Sequence, residues 1–194
     1  TQNPIWTDSG RKRLLRCMEW SGVGVESVCG NFFMEKGLFG DCLQREGAFE
    51  VLEALLEGMS DVGARILVLP LFEQNRPLSE KGCLECIRQI LVMADRYQIH
   101  VLLENDWDAS VNRKLLDTWG VEHLGVCYDL GNAAGAGKDL CEEILLLQDR
   151  IKEFHIKDKP YNGSSVMLGE GAVNFPKVMG SVRDMEIRVP FIFE

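Results

Sequence analysis

Apolar positions alternate along the chain between two rhythms. Over residues 46–59 they fall at helical spacing, at Phe49, Leu52, Leu55, Leu56 and Met59, whereas residues 65–72 (RILVLPLF) form a near-continuous apolar run, as in a strand buried on both faces. The same reading predicts further helices over residues 11–20, 79–97 (with Ser79 as N-cap), 110–119, 138–148 and 175–182. Strands are predicted over residues 23–29, 99–103, 124–128, 151–156 and 189–193. Residues 131–137 and 161–171, rich in glycine or serine, read as loops. Six strands separated by helices predict a parallel α/β fold, either a (β/α) barrel or an open doubly wound sheet. No G-x-G-x-x-G or G-x-x-x-x-G-K-[ST] segment follows a strand, so the usual nucleotide-binding turn of the doubly wound folds is missing.

Composition narrows the function classes. The 194 residues are 46% hydrophobic and 26% charged, a globular balance consistent with one domain over residues 1–194. The net charge of −9 argues against a non-specific nucleic-acid binder, but leaves room for a small anionic substrate held by a few local cations. No apolar run approaches the ~20 residues needed to span a membrane. Seven scattered cysteines, several inside apolar runs, suggest buried thiols and a cytoplasmic location. The C-x-x-C pair Cys83 and Cys86 lies inside a predicted helix, and no second ligand pair follows it at zinc-site spacing.

In parallel α/β proteins chemistry sits at the carboxyl ends of the strands. Four predicted strands end in a metal-capable side chain: Glu104 in VLLEN, Asp129 in GVCYD, His155 in KEFHIKD and Glu194 in VPFIFE. Each has an ordinary alternative, as a helix cap, a solvated carboxylate or a core histidine. Together, three carboxylates would repel one another and raise each other's pKa, a cost that a divalent cation removes. Three oxygen donors and one imidazole suit Mn²⁺, Mg²⁺, Co²⁺ or Zn²⁺. Glu73, after the apolar run over residues 65–72, is expected at the mouth of the crevice, whereas His100 and His123 fall at strand starts, away from it.

Five segments, LLEN at Glu104, Asp129-Leu130-Gly131-Asn132, His155-Ile156-Lys157-Asp158, residues 169–175 (GEGAVNF) and Phe191-Ile192-Phe193-Glu194, resemble the sugar phosphate isomerase/epimerase family in order and spacing. That family has the xylose isomerase-like TIM barrel, and the resemblance runs over about residues 23–194. The D-x-G-N form looks most like the pentulose-5-phosphate 3-epimerase branch. Asn132 stands where many relatives have histidine, and Asn174 where the family usually has aspartate. The resemblance implies one divalent metal, Mn²⁺ first, on Glu104, Asp129, His155 and Glu194. It also implies proton transfer next to a carbonyl through an enediolate, with Glu104 and Glu194 as the acid/base pair. Asn132, Lys157 and Trp107 are the expected contacts to a small-molecule sugar or sugar phosphate. Residues 23–29 match the third of the family's eight strands, so an incomplete barrel lacking the first two strands is expected, truncated at both ends. Exposed sheet edges would favour a homo-oligomer. Two other readings stand beside this one. The first is an inactive barrel fragment or binding protein. The second is an endonuclease IV-like metal phosphodiesterase, which would need more histidines than the three present.

Overall fold

The computed structural model describes residues 3–39, 42–72, 80–119 and 123–194, which fall into two compact units, Thr1–Val101 and Leu102–Glu194. Ser79 and Glu73, the expected cap and mouth residues, lie outside the described residues.

In the first unit a short 3₁₀ turn, Pro4–Trp6, leads into α1 (Asp8–Ser21). The Thr7 hydroxyl caps α1 by accepting from the Gly10 backbone N–H, so the helix starts three residues before the apolar pattern suggests. Then follow β1 (Ser27–Cys29), α2 (Phe32–Lys36), α3 (Cys42–Val62), β2 (Ile66–Pro70) and α4 (Glu80–Asp95). Only three residues of β1 pair, in parallel, with β2, because Val23 and Gly24 of the predicted strand are exposed. Leu52, Leu55, Leu56 and Met59 of α3 are buried, as are Ile87 and Ile90 of α4 and Leu67–Leu69 of β2. The helical spacing therefore identified the core face of α3, with Phe49 of the predicted set only half-buried.

The second unit takes up the last three residues of β3 (His100–Glu104) and continues through α5 (Ala109–Trp119), β4 (Leu124–Asp129), α6 (Leu130–Gly135) and α7 (Leu140–Leu147). It ends with β5 (Ile151–Ile156), α8 (Phe175–Asp184) and β6 (Phe191–Phe193). Within this unit the strands lie side by side in chain order, with β4, β5 and β6 in parallel pairing. All six residues of β4 are buried, as a strand covered on both faces requires. On the face of β5 opposite His155 the Phe154 ring stacks on Phe191 at 5.1 Å and meets Tyr128 edge-on at 6.1 Å.

The glycine-rich stretch expected to be a loop instead contains α6. Its start is set by Asp129, whose Oδ1 accepts from the Asn132 backbone N–H at 2.8 Å, so the helix leaves directly from the end of β4. Glycine is needed at position 131 for close approach: a Cβ there would lie 2.9 Å from the Lys157 carbonyl oxygen.

The long segment after β5 is fastened by the buried Asp158. Its Oδ2 accepts from the N–H groups of Gly169 and Gly171, each at 2.9 Å, and its Oδ1 from Val173 at 3.1 Å. Burial alone would raise the Asp158 carboxyl, but the backbone N–H bonds outweigh it and hold the group below the usual carboxylate range. Asp158→Ala strips three N–H groups of their acceptor and is expected to cost about 3 kcal/mol or more in urea unfolding at pH 7. Because the folded-state pKa is depressed, this contribution is full above the unfolded-state value and fades as pH falls through the folded one. Unchanged stability in the variant would refute the fastening.

Candidate metal centre

Glu104 ends β3, Asp129 ends β4, His155 is the fifth residue of β5, and Glu194 follows β6. Parallel pairing sets Asp129 against His155 and Ile192 against His155, and the Glu194 backbone N–H donates to the Ile156 carbonyl at 3.2 Å. The four predicted side chains therefore meet at one end of the second unit. His155 Nδ1 lies 3.3 Å from Glu194 Oε1 and 3.9 Å from Glu104 Oε2. Glu104, Asp129 and His155 are buried and each offers a ligand atom within 4.8 Å of the others, whereas the Glu194 side chain is 35% exposed.

One cation and one amide bind this carboxylate group directly. Lys157 Nζ lies 2.8 Å from Asp129 Oδ2 and 2.5 Å from Glu194 Oε2. The Asn132 amide nitrogen donates to Asp129 Oδ2 at 2.7 Å and to Glu104 Oε1 at 3.2 Å, while its oxygen accepts from Lys159 Nζ at 2.7 Å. Asn132 and Lys157, expected as substrate contacts, thus touch the carboxylates directly. Trp107 is half-buried and lines a cavity of about 30 Å³ together with Asn105, Asp129, Asn132 and Lys138, room for water but not for a sugar.

The electrostatics follow from burial. Desolvation pushes the Glu104 carboxyl up to about 7; His155 and Lys157 oppose this, and Asp129 and Glu194 add to it. Burial would lower His155, but its hydrogen bond with Glu153 and the charges of Glu104, Glu194 and Asp129 raise it above the ordinary imidazole value. Lys157 is likewise held above its ordinary value, its bonds to Asp129 and Glu194 outweighing burial.

The donor chemistry fits a divalent cation. Three carboxylates and an imidazole converge, and His155 Nδ1 is buried with no hydrogen-bond partner, facing carboxylate oxygens. Sequence reasoning missed Glu153, which is fully buried with Oε1 3.3 Å from His155 Nε2. The signal was available: an acidic residue two positions before His155 shares its face of the strand.

The model of the xylose isomerase-like TIM barrel family matches residues 3–194. This chain belongs to that family. Membership accounts for the strand-helix alternation, with six strands of the (β/α) barrel pattern among the described residues. Among curated proteins, the chain is 26% identical to "Putative L-ribulose-5-phosphate 3-epimerase SgbU" of Escherichia coli K12 over 207 residues, covering 97% of this chain and 72% of that protein. Among solved structures, a xylose isomerase domain protein from Planctomyces limnophilus matches with a TM-score of 0.84 at 19% identity, over 98% of this chain and 77% of that one. A xylose isomerase-like TIM barrel protein from Mycobacterium smegmatis, solved in complex with magnesium, matches with a TM-score of 0.74 at 16% identity, over 98% and 72%. No helix among the described residues is long and apolar enough to cross a membrane.

Proposed function

We propose that the chain carries the metal centre of a sugar or sugar phosphate epimerase or isomerase, with Glu104, Asp129, His155 and Glu194 as ligands to one divalent cation, Mn²⁺ first. The observation that carries this reading is the unpartnered His155 Nδ1 facing the carboxylates of Glu104 and Glu194. A buried lone pair against two acidic groups is unfavourable until a proton or a metal cation sits between them, and three carboxylates beside it favour the divalent ion. The name of the Escherichia coli relative favours a pentulose 5-phosphate as the first substrate class to try.

A divalent ion bound there would polarise a substrate carbonyl and lower the cost of removing the adjacent proton. Glu104, with its pKa near 7, is suited both to take a proton and to return one at neutral pH. Glu194, more exposed and carried on a different strand, supplies the second carboxylate of the acid/base pair. Return of the proton to the opposite face of the same carbon gives an epimer, and its return to the neighbouring carbon gives an aldose-ketose isomer. Lys157, bonded to Glu194, and Asn132, bonded to Glu104, would hold substrate hydroxyls or a phosphate, with Trp107 on the Asn132 side.

The test is solvent exchange. The Mn²⁺-loaded chain, incubated with pentulose and hexulose phosphates in D₂O, is expected to place deuterium on the carbon next to the carbonyl of its substrate, read by proton NMR. A chain that binds Mn²⁺ but exchanges no proton on any member of the panel is a binding protein, and the enzymatic reading fails.

A further inference from the structure

Glu153 and His155 are two residues apart on β5 and point to the same face. The register across β4 and β5 pairs Asp129 with His155 and, one layer deeper, Cys127 with Glu153. In that deeper layer the Cys127 thiol donates to Glu153 Oε1 at 3.9 Å, and His155 Nε2 lies 3.3 Å from the same oxygen. Glu153 has no exposed surface, and its Oε2 has no partner. A carboxylate so placed carries a desolvation cost that valine or leucine would avoid, so its presence at a fully buried position calls for a compensating role.

The two imidazole nitrogens face different chemistry. Nε2 points to the buried carboxylate, whereas Nδ1 is bare and points to Glu104 and Glu194. An imidazole that donates Nε2–H to Glu153 carries its lone pair on Nδ1. We propose that Glu153 is a positioning residue that fixes the tautomer and ring orientation of His155 and so presents Nδ1 as the metal-ligating nitrogen. This rests on the metal-centre reading above. Carboxylate-histidine pairs of this kind orient the ring and raise its basicity as a ligand, and their loss weakens metal affinity by roughly 10–100-fold.

The experiment uses the full chain, its Glu153→Leu variant and its Glu153→Gln variant, which keeps an acceptor oxygen in the same place. Mn²⁺ affinity is measured by calorimetry, and the His155 ring nitrogens are observed by ¹⁵N NMR in the zinc-loaded protein. The wild type is expected to show Nε2 protonated and Nδ1 metal-bound. Glu153→Leu is expected to lose 10–100-fold in affinity, and Glu153→Gln to recover most of it. A wild-type spectrum with Nδ1 protonated and Nε2 on the metal overturns the proposal even if the leucine variant does not fold. So does a second ion bound among Cys127, Glu153 and His155, or a folded leucine variant with wild-type affinity and an unchanged spectrum. Absence of any metal binding by the wild type overturns the metal-centre reading itself, and this proposal with it.

Discussion

Replacing His155 with alanine is expected to abolish detectable Mn²⁺ binding, where the unaltered chain binds close to one ion in a calorimetric titration. His155 offers the single nitrogen among the four expected ligands, and its Nδ1 is buried without a hydrogen-bond partner. Removing it leaves three carboxylates already engaged by Lys157 and Asn132. The affinity of the unaltered chain should also fall as pH drops through about 7. Glu104 then takes up its proton, His155 holds one more tightly than a free imidazole, and metal ligands must be deprotonated to bind. Binding near pH 7 should therefore release protons, seen as a dependence of the measured heat on the buffer's ionisation enthalpy. Full-strength binding by the alanine variant, or affinity that is flat from pH 6 to 8, would count against the site.

Glu104→Gln is expected to separate catalysis from stability. Loss of a positioned general base or acid typically slows proton transfer by about 10²–10⁴-fold, and exchange on the substrate should drop by at least that factor. Stability of the metal-free protein should move the other way. The folded-state pKa of Glu104 is about 7, raised from the ordinary 4.5, so between those values the folded state binds more protons than the unfolded state. Stability therefore falls as pH rises through that window, and above about pH 7 the ionised group costs on the order of 3 kcal/mol. Glutamine removes the charge and keeps the oxygen that accepts from Asn132. Its melting temperature at pH 8 should equal or exceed that of the unaltered metal-free chain. Glu194→Gln should slow exchange similarly with little change in stability, since its side chain is one-third exposed. Retention of exchange in both variants would remove the two glutamates from the acid/base role.

Reading strand ends from the sequence succeeded because burial leaves a strong one-dimensional trace. A strand covered on both faces must be apolar along its length, so a carboxylate or histidine interrupting that run marks the end that meets water or chemistry. Glu104 after VLL and Asp129 after GVCY were legible in this way, and the structure places both at the ends of their strands with His155 between neighbouring carboxylates. Residues 131–137 were misread as a loop for a related reason. Glycine counts against a helix by propensity, but the helix there is nucleated by the Asp129 cap and allowed close to β5 by the small Gly131.

The sequence by itself determined the alternation of strands and helices, the core face of α3 and the acidic and imidazole groups that end the strands, because spacing and polarity are local properties of the chain. Only the tertiary structure decided which atoms meet. The β4–β5 register, with its shift between Val126 and Cys127, set Asp129 against His155 and Cys127 against Glu153. The pairing of β5 with both β4 and β6 brought Lys157 to Asp129 and Glu194, and set the His155 Nδ1 beside the carboxylates of Glu104 and Glu194. Pairing energy and desolvation depend on distances between residues far apart in the chain, and no pattern along one strand records them.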